Sequence, residues 1–223
     1  MQRLKETYLE TIQAIIPFAG KRLLEIGCGD GARTIQIADC CKEVVAIDPD
    51  PALIAKARSL RSKDNIRYQE GSGDALPFDD ASFDIVFFTL SFHHIPVDRM
   101  TAAIDASLRV LEPSGFIIFL EPAFTGSFFE AEIRFDACDG DERKEKAFAY
   151  ATMLAHPRLK EIAERSDETI FQFDSPEDFI AFMKPHKSST EEIHSFLASN
   201  NNQLSAKRRI NLFQRVIASA SQF

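Results

Sequence analysis

The stretch Leu23-Leu24-Glu25-Ile26-Gly27-Cys28-Gly29-Asp30-Gly31 narrows the fold more than any other part of the 223-residue chain. An apolar run breaks into three glycines spaced two apart and then resumes with helical periodicity. That pattern reads as a strand, a tight turn and the start of a helix. Glycine at such a turn lets the backbone take positive φ and come close to a ligand that a Cβ would hold off. Twenty-one residues past Gly27, the apolar run Val44-Val45-Ala46-Ile47 ends in Asp48, where an acidic side chain can accept from the two hydroxyls of a ribose. The two features together imply a nucleoside ligand.

Two classes of nucleoside stay open on these residues. Gly27, Gly29 and Ala32 fit a relaxed G-x-G-x-x-A pattern, which admits a dinucleotide with its pyrophosphate on the helix N-terminus, as in an NAD(P)-dependent oxidoreductase. Charge argues the other way, because Glu25, Asp30, Asp48 and Asp74 all fall near the expected pocket and only Arg33 balances them nearby. Such a pocket suits a cation better than an anion. S-adenosylmethionine is an adenosine with a sulfonium centre and an amino-acid tail. It needs a glycine turn, an acid for the ribose and no phosphate cradle.

From Leu23 to Pro122 the chain resembles the class I S-adenosylmethionine-dependent methyltransferases, in particular the small-molecule, ubiquinone/menaquinone-biosynthesis-like group (methyltransferase type 11). The resemblance rests on five blocks in the family's order: Glu25-Ile-Gly-Cys-Gly-Asp-Gly31, Val45-Ala-Ile-Asp48, Gly73-Asp-Ala-Leu-Pro-Phe78, Phe83-Asp-Ile-Val-Phe87 leading to His93-His94-Ile95, and Val110-Leu-Glu-Pro-Ser-Gly115 before an apolar strand. It implies a Rossmann-like, seven-stranded, mostly parallel α/β sheet with helices on both faces and a helical substrate cap. It also implies methyl transfer from S-adenosylmethionine to a small-molecule acceptor by in-line displacement, with S-adenosylhomocysteine as product. A partner protein that binds the cofactor without catalysis remains an alternative.

Bulk properties limit the partners. The net charge of −8 and the lack of a basic cluster beyond Lys207-Arg208-Arg209 argue against nucleic acid, whose phosphates are bound through many Lys and Arg contacts. That tribasic run reads as a solvated lead-in to a strand. Cys28, Cys40, Cys41 and Cys138 show no paired spacing, which suits a reducing cytoplasm. No signal peptide and no membrane-spanning apolar run is evident, and a homodimer is compatible with the chain.

Periodicity gives a coarse map. Apolar positions from Leu4 to Ile16 predict a helix over 3–16 ended by Pro17, so residues 1–20 are expected to form an N-terminal lid helix, with Tyr8 either touching ligand or packing on the sheet. Residues 21–122 form the cofactor-binding core, with strands at 22–26, 44–48, 66–70, 83–89 and 116–121 and helices at about 32–40, 51–60 and 98–111. Ligands of such sheets bind beyond the carboxyl ends of the strands. Residues 123–165, rich in phenylalanine, are expected to form a helical cap, with Phe124 and Phe128 as acceptor contacts. Residues 166–223 complete the sheet, with a strand at 169–173, helix starts at Ser175 and Ser189, and an antiparallel edge strand over Ile210–Ala218. The run Asp139-Gly-Asp-Glu-Arg-Lys-Glu-Lys146 reads as an exposed turn entering a helix, without chemistry.

The expected cofactor residues are Glu25, Gly27, Cys28, Gly29, Asp30, Gly31, Asp48, Pro49, Asp74, Ala75 and Leu90. By resemblance, Asp74 accepts from the adenine amino group and the Ala75 N–H meets a ring nitrogen. His93 and His94 follow the fourth strand and are the candidate general bases, since imidazole can deprotonate a nucleophile near neutral pH. With Tyr8 they are also candidate acceptor contacts. No spacing resembles a metal-ligand set.

Overall fold

The computed structural model describes residues 1–187 and 189–216. The chain enters through a strand rather than a helix: β1 (Gln2–Lys5) pairs antiparallel along residues 170–172, and only the short α1 (Tyr8–Gln13) follows. Helical periodicity misled here because Leu4, counted on the apolar face, stands 53% exposed on an edge strand. Tyr8 and Ile12 are buried against the sheet, so the segment is packed structure rather than a lid.

The glycine block follows β2 (Arg22–Ile26), and α2 (Thr34–Ala38) leads to β3 (Glu43–Asp48). Next come α3 (Pro51–Leu60), β4 (Ile66–Glu70) and β5 (Phe83–Thr89). Asp50 caps α3, its carboxylate accepting from the Ala52 and Leu53 N–H groups with Pro51 at the first helical position, the arrangement that leaves the fewest orphan donors. A 3-10 turn at Phe92–His94 then leads into α4 (Val97–Val110) and β6 (Leu111–Pro122). Strand β6 begins five residues before the predicted start, because Leu111 already pairs with Phe83 across an irregularity.

Beyond β6 the chain forms α5 (Ser127–Phe135), α6 (Arg143–Ala155), β7 (Leu159–Gln172), α7 (Pro176–Met183), α8 (Thr190–Ser199) and β8 (Gln203–Arg215). The helical cap therefore ends at Ala155 rather than at 165, since residues from Leu159 onward pair with β8. Ser175 and Ser189 cap their helices, the latter in a capping box with Glu192. The predicted edge strand over Ile210–Ala218 is instead the C-terminal part of an interior strand lying between β6 and β7; Ile217 and Ala218 lie outside the described residues.

All eight strands form one sheet in the order β1-β7-β8-β6-β5-β2-β3-β4, one more than the predicted seven because of the N-terminal strand. The pairs from β6 through β4 are parallel, and β8, β7 and β1 add on antiparallel. Successive residues of a strand point to opposite faces, so the continuous apolar runs fill two cores. Leu24, Val45, Val86 and Phe88 face α4 and α6, whereas Leu23, Val44, Ile85 and Phe87 face α1, α2 and α3. A third core joins α5, α7 and α8 to the far ends of β7 and β8 through Phe135, Phe171, Phe173, Phe179 and Phe196. In register, Ile26 lies beside Ile47 and Phe88, and Asp48 beside Glu70, which brings the carboxyl ends of four strands to one edge.

Candidate functional site: two cavities at the carboxyl edge of the sheet

The first cavity, of about 410 Å³, opens where β2, β3, β4 and β5 end. Gly27 (φ +76°) turns the chain there, and a Cβ on it would sit 2.1 Å from Ser91 Cβ, so close packing as well as conformation requires glycine. Gly29 (φ +55°) has no heavy atom within 4 Å of where its Cβ would stand, leaving open space at the cavity wall. Asp48 is 8% exposed, and its carboxylate accepts from the Gly29 N–H at 2.8 Å and the Asp50 N–H at 2.9 Å. Each oxygen keeps lone-pair capacity toward the cavity. Within the turn, the N–H groups of Gly27 and Cys28 donate to the Ile47 carbonyl at 2.8 and 3.0 Å, and that of Gly31 donates to the Cys28 carbonyl at 3.0 Å.

Of the expected cofactor residues, Gly27, Gly29, Asp48, Pro49, Asp74 and Leu90 line this cavity. Asp74 accepts from the Ser72 hydroxyl and lies 3.4 Å from the Arg99 guanidinium; the hydroxyl and the nearby charge hold its carboxyl below the usual range. The other expected residues do not line it. Glu25 is fully buried beneath the turn, with Oε1 accepting from Thr89 at 2.8 Å and Oε2 unpartnered, and burial drives its pKa up. Cys28 turns into the core between the sheet and its helices, where burial pushes its thiol up and makes it unreactive. Asp30 pairs with Lys56 at 2.8 Å, and a Cβ on Gly31 would stand 2.6 Å from the Tyr68 hydroxyl, so that glycine serves packing. The exposed Ala75 gives its N–H to the Ser72 carbonyl at 3.1 Å, which removes it as the predicted adenine donor.

A second cavity, of about 210 Å³, lies between the sheet edge and α5 and α6, and shares Leu90 and His94 with the first. Leu90 holds φ +58°, an uncommon conformation for a branched residue, at the place where the two cavities meet. His93 is 3% exposed and its Nδ1 lies 2.5 Å from Glu121 Oε2. Glu121 is itself held by the N–H groups of Ser91, Phe92 and His93 at 3.2, 3.0 and 3.3 Å. That grip fixes the ring and leaves Nε2 facing Glu142 at 3.6 Å. His94 places Nδ1 3.2 Å from Glu142, and this partner raises the His94 pKa against the opposing effect of burial.

Lys146, itself buried, lies 3.3 Å from Glu142 and 3.7 Å from Glu132. Burial pushes Glu132 up to about 7, with Lys146 opposing; burial also acts on Glu142, yet His94, His93 and Lys146 together hold that group low. The charge run read from sequence as an exposed turn without chemistry thus supplies three side chains, Asp139, Glu142 and Lys146, to the cavity lining. His93, His94 and Glu142 offer ligand atoms within 4.8 Å of one another, the one such group among the described residues, but Lys146 already neutralises the carboxylate.

Phe128 lines the second cavity, whereas Phe124 is 37% exposed and packs edge-on against Phe129 at 6.3 Å between ring centroids. Tyr8 lines neither cavity; it is 1% exposed and packs against Phe87 at 6.3 Å. Sequence reasoning passed over Ser91, Arg99, Glu121, Glu142 and Lys146. Glu121 carried a readable signal, a carboxylate closing an apolar strand whose neighbouring strand ends near two histidines.

Residues 24–119 match the methyltransferase domain family. The demethylmenaquinone methyltransferase of Clavibacter sepedonicus is 35% identical over 112 residues, covering 50% of this chain and 45% of that protein. The malonyl-[acyl-carrier protein] O-methyltransferase of Pectobacterium atrosepticum is 27% identical over 187 residues, covering 82% of this chain and 70% of that protein. The chain spans 45 to 59% of the length of the first curated relatives it matches. Among solved structures, the YcgJ protein of Bacillus subtilis superposes with a TM-score of 0.60 at 19% identity, covering 95% of this chain and 99% of that one, a likeness of fold. No helix among the described residues is long and apolar enough to cross a membrane.

Proposed function

Starting from a chain with the class I methyltransferase fold and a methyltransferase domain over residues 24–119, we propose that it transfers a methyl group from S-adenosylmethionine to a small-molecule acceptor. The observation that carries this reading is the chemistry of the first cavity. It offers the Asp48 carboxylate to donors and open space at Gly29, while the N–H groups of Gly27, Cys28, Gly29 and Gly31 already donate to Ile47, Asp48 and Cys28 rather than toward a diphosphate. Asp48 and Asp74 line it against the single guanidinium of Arg99, since Arg33, read from sequence as their balance, lines the other cavity. A dinucleotide would meet carboxylates where it needs N–H donors. An adenosine with a cationic sulfur and a zwitterionic tail brings net positive charge to these carboxylates instead of a diphosphate, and the cavity volume falls in the range of ordinary ligand sites.

When bound, S-adenosylmethionine supplies a methyl group on a sulfonium, which an acceptor nucleophile displaces in line. The chain's own residues position the two partners. Asp48 accepts from the ribose, Ile26, Ile95 and Pro96 supply apolar wall, and Leu90 and His94 stand between the cavities. His94 is the candidate to take a proton from the acceptor, a contribution worth roughly two to four powers of ten in rate. The Glu121–His93 pair stiffens the turn that carries it. The two curated relatives are named for demethylmenaquinone and for malonyl-[acyl-carrier protein]; the first name supports a small organic acceptor.

The test is thermal stabilisation followed by label transfer. S-adenosylhomocysteine should raise the melting temperature where NAD does not, and methyl-deuterated cofactor incubated with cell extract should label a small molecule in a His94-dependent way. Stabilisation by NAD in preference, or cofactor binding with no labelled product, would overturn the assignment.

A further inference from the structure

The second cavity is electrically lopsided. Toward α6 it presents His93, His94, Glu142 and Glu132 around Lys146. At its other end three guanidiniums from distant parts of the chain converge on one carboxylate. Arg208 of β8 lies 3.0 Å from Glu6, Arg33 before α2 lies 3.4 Å from the same oxygen, and Arg3 of β1 lies 3.6 Å from the other. No other carboxylate among the described residues comes within 4.0 Å of these three, so three positive charges face one negative charge. Asp167, across the β7–β8 pair from Arg208, accepts from the Thr7 hydroxyl at Oδ1 instead.

This is not a solvated surface cluster. The side chains of Arg208, Glu6 and Arg33 are 4, 10 and 16% exposed, and Arg33 Nε is buried with no partner. Burial, with Arg33 adding repulsion, pulls the Arg208 guanidinium down to about 10 although Glu6 opposes the shift. Buried charges are ordinarily paired, and a guanidinium fork matches a carboxylate in two parallel hydrogen bonds. All three arginines line the cavity, and Phe128 and Phe171 form its apolar wall between the two ends.

We propose that Arg33 and Arg208, with Arg3 beside them, form a binding site for a carboxylate group of the methyl acceptor. The acceptor's apolar body lies against Phe128 and Phe171 and its reacting atom lies toward His94. This rests on reading the second cavity as the acceptor site. The same chemistry would suit the cofactor's own carboxylate, so the experiment separates the two sources.

Phenylacetate and octanoate, each beside its uncharged amide, are titrated calorimetrically into the protein with and without saturating S-adenosylhomocysteine. At least one carboxylate should bind about tenfold tighter than its amide. Arg33→Met and, separately, Arg208→Met should remove that preference while leaving the affinity for S-adenosylhomocysteine within about twofold of the parent. Equal binding of carboxylates and amides, or no binding of either carboxylate, overturns the proposal. A variant that loses S-adenosylhomocysteine about tenfold but keeps methylthioadenosine, which lacks the amino-acid tail, also overturns it by giving the guanidiniums to the cofactor. Failure of the parent protein to bind S-adenosylhomocysteine would sink the cofactor reading alone, because the titration without it still reports on the anion site.

Discussion

Replacing Asp48 with alanine separates the bracing its carboxylate gives the loop from the ribose contact proposed for it. In the structure it accepts from the Gly29 and Asp50 N–H groups at 2.8 and 2.9 Å, so the glycine turn and the entry to α3 hang on the same side chain. Hydrogen bonds to a charged group contribute about 1.5–3 kcal/mol each. Both donors lie where water can replace the lost acceptor, one at the cavity wall and one at an exposed helix cap, so the loss falls at the low end, about 3 kcal/mol for the pair. Asp48→Asn keeps one acceptor and sets its amide against an N–H, and should lose about half as much. Urea denaturation measures this part. Calorimetry measures the other: loss of the ribose acceptor should weaken S-adenosylhomocysteine by about 1.5–3 kcal/mol, or roughly ten- to 150-fold. The 2′-deoxy analogue closes a double-mutant cycle, because it should bind the parent more weakly than the full ligand yet bind Asp48→Ala equally well. A variant that loses stability but keeps the parent's preference for the 2′-hydroxyl would leave Asp48 as a loop brace and refute its role toward ribose.

Four further outcomes follow from particular contacts. Gly27→Ala combines a left-handed backbone with a methyl 2.1 Å from Ser91 Cβ and should lose about 3 kcal/mol of stability, part of it restored by Ser91→Gly. Gly29→Ala, with open space around it, should lose only about 1–2 kcal/mol in urea denaturation while its methyl group lowers S-adenosylhomocysteine affinity. Tyr8→Phe should leave that affinity within about twofold, whereas Tyr8→Ala should cost about 3–5 kcal/mol of stability as a core truncation; a Phe variant that binds ligand poorly would return Tyr8 to the site. Glu132 is raised by burial from 4.5 to about 7, so its contribution to stability is complete below pH 4.5 and is lost as the pH rises through 7. Glu132→Gln should therefore be more stable than the parent at pH 8 by roughly 3 kcal/mol and nearly equal to it at pH 4; a variant less stable at pH 8 would show that the ionised carboxylate supports Lys146 more than burial penalises it.

The first cavity was legible because its parts are local. Apolar runs ending in Gly27, Asp48 and Thr89 fix the strands, and the sheet's parallel register carries their ends to one edge without help from distant residues. What periodicity could not say is which atoms the turn would use up. Cys28, Asp30, Gly31 and Ala75 sit in the motif, yet the Cys28 side chain goes to the core, Asp30 pairs with Lys56, Gly31 leaves room for Tyr68 and gives its N–H to Cys28, and the Ala75 N–H goes to Ser72. The N-terminal strand was hidden for a different reason. Gln2 to Lys5 have exposed side chains throughout, and only the open edge of β7 makes a strand of them.

The second cavity was illegible because its charges look ordinary one at a time. Arg208 belongs to a tribasic run and Glu142 to a mixed charge run, both of which a sequence reading assigns to solvent, and each is brought inside only by pairing or packing across the fold. This division also follows the family match. The residues that line the first cavity all lie within residues 24–119, whereas most of the charged residues of the second, among them Arg3, Glu132, Glu142, Lys146 and Arg208, lie outside that span. Similarity over the matched span therefore bears on the cofactor half of the reaction. On the proposed reading the acceptor is chosen by residues that α5, α6, β1 and β8 deliver, and their chemistry has to be read from this chain's own contacts: an arginine cluster short of negative charge at one end, and two histidines braced by Glu121 and Glu142 at the other.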